Sequence, residues 1–237
     1  MVNIRNQLLP YLKLFLIHPE LAFLANKITK SGSTYLSYSQ LLALVSNANK
    51  IRSGDPNSLH IAEFGVGRGG SAQVLAWIIN HYGGTLTLFD VFSQIPEPSS
   101  TDGEDALQRY SALTEDESAN YYGNIPDLLE TIKSELKAIG PIDRIEFVIG
   151  EYQNSLQTYK SSHHYNFVHI DCDWYESVKS VLGFLESNIH KEAILQIDDY
   201  LYWSGTKKAT DQSKWLQGYP IQFVDCAIII DRRFQIN

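Results

Sequence analysis

Glu63-Phe64-Gly65-Val66-Gly67-Arg68-Gly69-Gly70-Ser71, entered through the apolar run Leu59–Phe64, decides the fold. A β-rich run that ends on clustered glycines and passes into the apolar-periodic stretch Ser71–Tyr82 reads as strand, tight turn and helix. Gly65, Gly67 and Gly70 fulfil Gly-x-Gly-x-x-Gly, and the next β-rich run, Thr85–Phe89, leads to Asp90, 20 residues after Gly70. Glycines let the backbone approach a ligand closely, and an acid at the second strand's end accepts hydrogen bonds from two ribose hydroxyls. The unit therefore suits an adenosine-containing ligand.

Outward from this unit the same rhythm continues. Runs at Ile145–Ile149, Tyr165–Ile170 and Ala193–Ile197 read as strands, and Pro126–Ile139, Tyr175–Asn188 and Thr206–Leu216 as helices between or after them. Such alternation implies an α/β protein with a mostly parallel sheet covered on both faces. Ile221–Val224 and Cys226–Ile230, separated by Asp225, read as a hairpin-like edge rather than a further crossover. The first 55 residues read as a helical N-terminal extension, in which Ser37 caps the stripe Leu41, Leu42, Val45. At 237 residues the chain reads as a single domain.

Composition excludes several classes. The net charge is −8 with no basic stripe, which argues against a nucleic-acid partner, since phosphate neutralisation needs clustered Lys and Arg. No run of about 18 apolar residues occurs, so no membrane span is expected. Pro10, Lys13, His18, Pro19 and Glu20 interrupt Met1–Leu24, which reads as amphipathic helix rather than a secretory leader. Cys172 and Cys226 lack disulfide-scaffold or zinc spacing, which points to a reducing cytoplasm. A small-molecule substrate fits best, and the apolar N-terminal helices offer a surface for a homodimer.

One segment breaks the alternation. Residues 93–124 contain Pro96, Pro98, Gly103 and seven acids against one base, Arg109, a net −6 of the chain's −8. A short helix is expected near Ala106–Leu113. The segment reads either as a solvated insertion or as an acidic lid, since long irregular stretches inside compact domains are commonly binding loops.

Charge discriminates among adenosine ligands. Glu63, at the C-terminal edge of its strand, would be poorly placed beside a pyrophosphate but well placed beside the sulfonium and ammonium of S-adenosylmethionine. Arg68 would suit a phosphate, though it could equally pair with Glu63 or with the donor's own carboxylate.

A second constellation is carboxylate-rich. Asp171 and Asp173 close the fourth strand in His169-Ile170-Asp171-Cys172-Asp173, and Asp198 and Asp199 close the fifth in Gln196-Ile197-Asp198-Asp199-Tyr200. Ligands of open parallel sheets bind outside the carboxyl ends of the strands, where these acids fall. Gathered carboxylates repel one another unless one protonates or a cation joins them. Oxygen donors alone indicate a hard ion, Mg²⁺ first, with Ca²⁺ or Mn²⁺ as alternatives. Helix capping would account for one acid per strand but not for an adjacent pair opposite another acid. Trp174, Tyr175, Tyr200, Tyr202 and Trp203 follow directly and read as walls for a sugar face or an apolar ring. Lys207 and Lys208 read as solvent-facing, His163 and His164 as surface at the opposite strand ends, and His169 as a buried residue rather than a base.

Taken in order, Glu-x-Gly-Val-x-Arg-Gly-Gly-Ser at 63–71, Asp-x-Phe-x-x-x-Pro-Glu-Pro at 90–98, Asp-x-Asp-x-Tyr-Glu-Ser at 171–177 and Ile-Asp-Asp-Tyr with a downstream Trp-x-Gly at 197–205 resemble the macrocin O-methyltransferase family, whose members methylate sugar hydroxyls. His18-Pro19-Glu20-Leu21 and Thr34-Tyr35-Leu36-Ser37 are similar to the family's helical entry, so the resemblance spans nearly the whole chain. It implies a class I methyltransferase, a Rossmann-like sheet of seven strands with the last antiparallel. S-adenosyl-L-methionine is the implied donor, with a Mg²⁺ ion that orients the acceptor. By motif, Glu63, Gly65 and Ser71 would surround the methionine part and Asp90 the ribose, with Phe64, Gly67, Arg68, Gly69, Phe92 and Ser93 completing the donor site. Asp171, Asp198 and Asp199 would hold the metal, and Asp171 would be the catalytic base, with Asp173 or a lid residue as alternatives. Val91-Phe92-Ser93-Gln94-Ile95 departs from the family's Ser-Phe-Glu-Gly-Leu after the ribose-binding acid. A nicotinamide-dependent oxidoreductase would use the same glycine turn, and a binding module without turnover could keep the same pocket.

Overall fold

The computed structural model describes residues 4–51, 59–115 and 121–235. Residues 1–3 and 52–55 of the expected extension, and Asp116 and Glu117 of the acidic segment, lie outside them.

Three helices open the chain: α1 (Ile4–Ile17), α2 (Pro19–Lys30) and α3 (Tyr38–Ile51). The described part of the amphipathic stretch expected over Met1–Leu24 belongs to two helices rather than one. Pro19 cannot continue α1's hydrogen bonding but suits the first turn of α2, so the chain breaks at His18. At α3 the Ser37 hydroxyl accepts from Gln40 N at 3.2 Å while Gln40 Oε1 accepts from Ser37 N at 2.8 Å, a reciprocal capping box.

Alternation then follows as β1 (His60–Phe64), α4 (Gly70–Tyr82), β2 (Thr85–Asp90), α5 (Glu104–Glu115), α6 (Leu128–Ile139), β3 (Ile145–Ile149), α7 (Tyr152–Thr158), β4 (Tyr165–Ile170), α8 (Tyr175–Asn188), β5 (Ile189–Ile197), α9 (Ser204–Gln212), β6 (Ile221–Val224) and β7 (Ala227–Asp231). Single 3₁₀ turns occur at Tyr122–Asn124 and Lys214–Leu216, the second ending the stretch expected as one helix over Thr206–Leu216. The short helix α7 carries too few apolar positions to be visible as a period.

Seven strands form one sheet in the order β3-β2-β1-β4-β5-β7-β6, parallel except for β7. This is the expected class I sheet. The C-terminal pair is a hairpin, as expected, but β6 is reached by a crossover through α9, and β7 returns between β5 and β6. The turn holds two residues, Asp225 and Cys226, with Asp225 left-handed at φ 52°. Central strands are buried on both faces, which explains their near-continuous apolar runs, whereas edge strand β6 is largely exposed.

Two cores result. Leu21, Ile28, Leu41 and Leu44 of α2 and α3 join Leu75 and Ile79 of α4 on one face, and α7, α8 and α9 cover the other through Leu156, Val178, Leu182 and Ala209. Each fully buried large aliphatic contributes about 1.5–3 kcal/mol. Among the described residues no helix is long and apolar enough to cross a membrane.

Candidate active site

Parallel strands deliver their C-termini to one edge, and here hydrogen bonds continue past the strand ends and fix the level of the loops. Gly65 N donates to Phe89 O at 3.0 Å, Asp171 N to Phe64 O at 2.7 Å and Asp198 N to Ile170 O at 2.7 Å. The glycine turn, the end of β2 and both acidic turns therefore surround one cavity of about 660 Å³.

Gly65 adopts φ +89°, and a Cβ there would lie 1.8 Å from the Asp171 carbonyl oxygen. At Gly70 a Cβ would lie 2.4 Å from Ser33 O. Both glycines are thus demanded by close backbone approach, one to β4 and one to the N-terminal segment.

Of the residues expected at the donor site, Gly65, Gly67, Arg68, Ser71 and Asp90 line the cavity. Asp90 is engaged from within the protein: Oδ2 accepts from Val66 N at 2.6 Å and Gly67 N at 3.2 Å, and Oδ1 from Phe92 N at 2.7 Å. Burial raises its carboxyl above the ordinary range, with those amides pulling the other way.

Glu63, Phe64, Gly69, Phe92 and Ser93 do not line the cavity. The expectation that Glu63 faces the crevice is corrected by the strand's alternation. Phe64 turns to the α8 face and stacks on Phe89, so Glu63 turns to the other face, fully buried one level below the cavity. There its Oε1 bonds His169 Nδ1 at 2.9 Å, which also places His169 in the interior as expected. Glu63 Oε2, His169 Nε2 and Gln196 Oε1, on neighbouring strands in register, have no hydrogen-bond partner among the described residues. Phe92 packs near Phe147, Ser93 is exposed, and Gly69 faces Ile132.

The four aspartates converge in overlapping trios, none of which, among the described residues, is the expected set Asp171, Asp198 and Asp199. Ligand atoms of Asp171, Asp173 and Asp199 lie within 4.8 Å of one another, as do those of His169, Asp171 and Asp198, and of Asp198, Asp199 and Cys226. Asp173 and Asp199 both take left-handed backbone, φ 57° and 55°, a conformation Asp tolerates better than most residues. Burial, followed by the charges of its neighbours, holds Asp171 and Asp173 well above the ordinary carboxylate range. Burial and then Asp199 push Asp198 up to about 7, and burial raises Asp199. Without a cation these upward shifts favour proton retention; the aspartate oxygens are the donors a hard divalent ion requires, with a His169 nitrogen and the Cys226 sulfur within the same reach.

Of five aromatics expected as walls, Trp174, Tyr202 and Trp203 line the cavity. Tyr175 and Tyr200 belong to the α8 core instead, and Tyr200 Oη donates to Asp211 at 2.6 Å. Lys207 pairs with Asp211 and Lys208 lies 5.0 Å from the Tyr175 ring, both away from the cavity. His163 stacks on His60 at 3.9 Å, at the opposite ends of the strands.

Of the segment 93–124, the described residues Ile95, Pro96, Arg109, Leu113, Tyr121 and Tyr122 line the cavity. Two of their acids are docked. Asp102 accepts from Tyr175 N at the start of α8, and Asp105 accepts from Ser204 N and Oγ, each at 2.8 Å, at the start of α9. Carboxylates sit favourably at helix N-termini, which carry unsatisfied N–H groups and partial positive charge.

Sequence reasoning did not place the N-terminal segment at the site. Ser33, Thr34, Tyr35, Ser37 and Gln40 line the cavity, and Gln40 Nε2 donates to Asp198 Oδ1. The Ser-x-x-Gln box was the available signal, but it marks a helix start and not its destination. Asp225 and Cys226 of the β6–β7 turn line the cavity as well, with the Ser37 hydroxyl donating to Asp225.

Comparison with known proteins agrees with this geometry. Residues 34–232 match the family described as Macrocin-O-methyltransferase (TylF). Among solved structures the chain is similar to the O-methyltransferase NovP (18% identity, 84% of this chain and 81% of that one, TM-score 0.71). CalS11, a calicheamicin methyltransferase, is similar at 18% identity over 93% and 89% of the two chains, TM-score 0.68. TomG from Streptomyces achromogenes, an O-methyltransferase of tomaymycin synthesis solved with S-adenosylmethionine, is similar at 12% identity over 92% and 89%, TM-score 0.57. At these identities the likenesses establish the fold. No curated protein sequence matches the chain.

Proposed function

The chain belongs to the macrocin-O-methyltransferase (TylF) family, S-adenosylmethionine-dependent O-methyltransferases, and from that premise we propose that it methylates a hydroxyl of a small natural product, a sugar or another polyol, with the help of a divalent cation, Mg²⁺ first. In this reading one domain carries the whole activity. The observation that carries it is the meeting of the glycine turn and the four-aspartate cluster in one cavity.

Gly65, Gly67, Arg68, Ser71 and Asp90 would hold the donor, whose methyl group is carried on a sulfonium. Asp171, Asp198 and Asp199 would hold the cation, which supplies a Lewis acid for the acceptor oxygen. An acceptor hydroxyl is a weak nucleophile at neutral pH until it gives up its proton, and Asp171 accepts that proton on a carboxylate oxygen. Asp173 is the alternative acceptor. Trp174, Tyr202 and Trp203 present ring faces to the apolar side of the acceptor, and Ile95, Pro96 and Leu113 cover it from water. The reading includes a homodimer, for which Leu8, Leu12, Leu16 and Phe23 on α1 and α2 expose apolar surface.

A nicotinamide-dependent reaction on the same glycine turn leaves the aspartate cluster without a task. Calorimetric titration of chelator-treated protein with S-adenosylhomocysteine and with NAD, each with and without Mg²⁺, tests the reading. Micromolar binding of the former and no heat from NAD is expected. Binding of NAD instead would overturn it.

A further inference from the structure

Gln40 is 3% exposed, in the first turn of α3, and every polar group of its side chain has a task. Oε1 accepts from Ser37 N at 2.8 Å, and Nε2 donates to Asp198 Oδ1 and lies 3.4 Å from Cys226 Sγ. The orientation of the amide follows from chemistry, because a backbone N–H can only donate. The oxygen must face Ser37, and the NH₂ group must face the carboxylate. The Gln40 carbonyl also accepts from Gln196 Nε2 at 3.4 Å, so α3 is tied to β5 at Gln196 and at Asp198 two residues on.

Asp198 needs such a tie. It stands beside Asp199 and Asp171, whose charges favour any rotamer that carries it away from them. A neutral donor on one oxygen holds the carboxylate in place without adding charge. We propose that Gln40 is a positioning residue for the cation site: its NH₂ group fixes Asp198 where it can join Asp171 and Asp199, and so links α3 to the ion. This rests on the divalent-cation reading above. Groups that orient a metal ligand typically change affinity by roughly 10–100-fold when removed.

The test is Mn²⁺ affinity of the chelator-treated full chain, measured by calorimetry and by the signal of free Mn²⁺ in electron paramagnetic resonance. Gln40→Met keeps length and burial but has no donor, and Mn²⁺ affinity should fall by about tenfold or more. Ser37→Ala removes the cap hydroxyl and its bond to Asp225 but leaves the Gln40 amide on Asp198. It should lower the melting temperature while leaving Mn²⁺ affinity within about twofold, well below the loss expected for a positioning group. Should Gln40→Met not fold, Gln40→Asn, polar but one methylene too short to reach Asp198, makes the same comparison. Wild-type affinity in the Gln40 variant overturns the inference while leaving the cation reading intact. Absence of Mn²⁺ and Mg²⁺ binding to the wild-type protein overturns both.

Discussion

Gly65 and Asp171 stand in direct backbone contact: the space a Cβ would take at Gly65 is already filled by the Asp171 carbonyl, at 1.8 Å. The donor-binding turn and the acidic turn of β4 are therefore one packed unit, and a change in the first must move the second. Gly65→Ala should cost about 1–3 kcal/mol as overpacking, with added strain from φ +89°. S-adenosylhomocysteine and Mn²⁺ affinity should both fall, measured by calorimetry on the folded fraction. Loss of only one would mean that the two turns move independently.

Asp171→Asn preserves shape and removes the proton acceptor. Turnover should fall by about 10²–10⁴-fold, the range of general-base contributions, while S-adenosylhomocysteine affinity changes little. Single-turnover methyl transfer to any accepted hydroxyl compound provides the check. Undiminished turnover would pass the role to Asp173.

The glycine turn, the strand-helix alternation and both acidic turns were legible because each is local: strand, turn and helix lie within a few consecutive residues. What the sequence hid depends on side-chain direction and on distant partners. Glu63 is one residue from Phe64, and period-2 alternation sends them to opposite faces, so proximity to the glycines said nothing about which one meets the ligand. Tyr175 opens helix α8 and Tyr200 lies in the turn after β5, and both pack into the α8 core although they neighbour the acids in sequence. Gln40 lies 158 positions from Asp198, and only the packing of α3 on the sheet brings the pair together.

Glu63→Gln acts on His169 rather than directly on the donor in this geometry. The amide can still meet His169 Nδ1, so the expected effect on S-adenosylhomocysteine affinity is less than about threefold, within the span of an ordinary neutral hydrogen bond. A loss of an order of magnitude or more would mean that the carboxylate's charge reaches the donor after all. Isothermal titration at matched ionic strength separates the two outcomes.

Asp105 pins the acidic insertion to α9 through Ser204. Removing an N-cap acceptor costs typically about 1 kcal/mol, which increases local opening by roughly fivefold. Asp105→Ala should therefore speed limited proteolysis within Glu104–Glu115 by about that factor and leave global melting nearly unchanged. Equal proteolysis rates would mean that α5 is held by Ala106 and its apolar neighbours alone.

The aspartate cluster fixes the sign of a pH dependence. Asp198 is pushed up to about 7 by burial and then by Asp199, and burial leads the upward shifts of Asp171, Asp173 and Asp199 as well. In the unfolded chain these groups ionise near 3.9. Between that value and their folded values the native state holds protons that the unfolded state has already released. The unfolded state binds fewer, so stability contributed by the cluster falls as pH rises from about 4 through 7. A divalent cation replaces those protons, and its binding must then strengthen over the same interval. The metal-free protein should accordingly lose melting temperature between pH 5.5 and 8, and the rise produced by Mg²⁺ should be larger at pH 8. Asp198→Asn removes one ionising group, so its metal-free profile should be flatter and its melting temperature at pH 8 higher than that of the wild type. An unchanged profile in the variant would mean that Asp198 is already charged in the folded, metal-free protein.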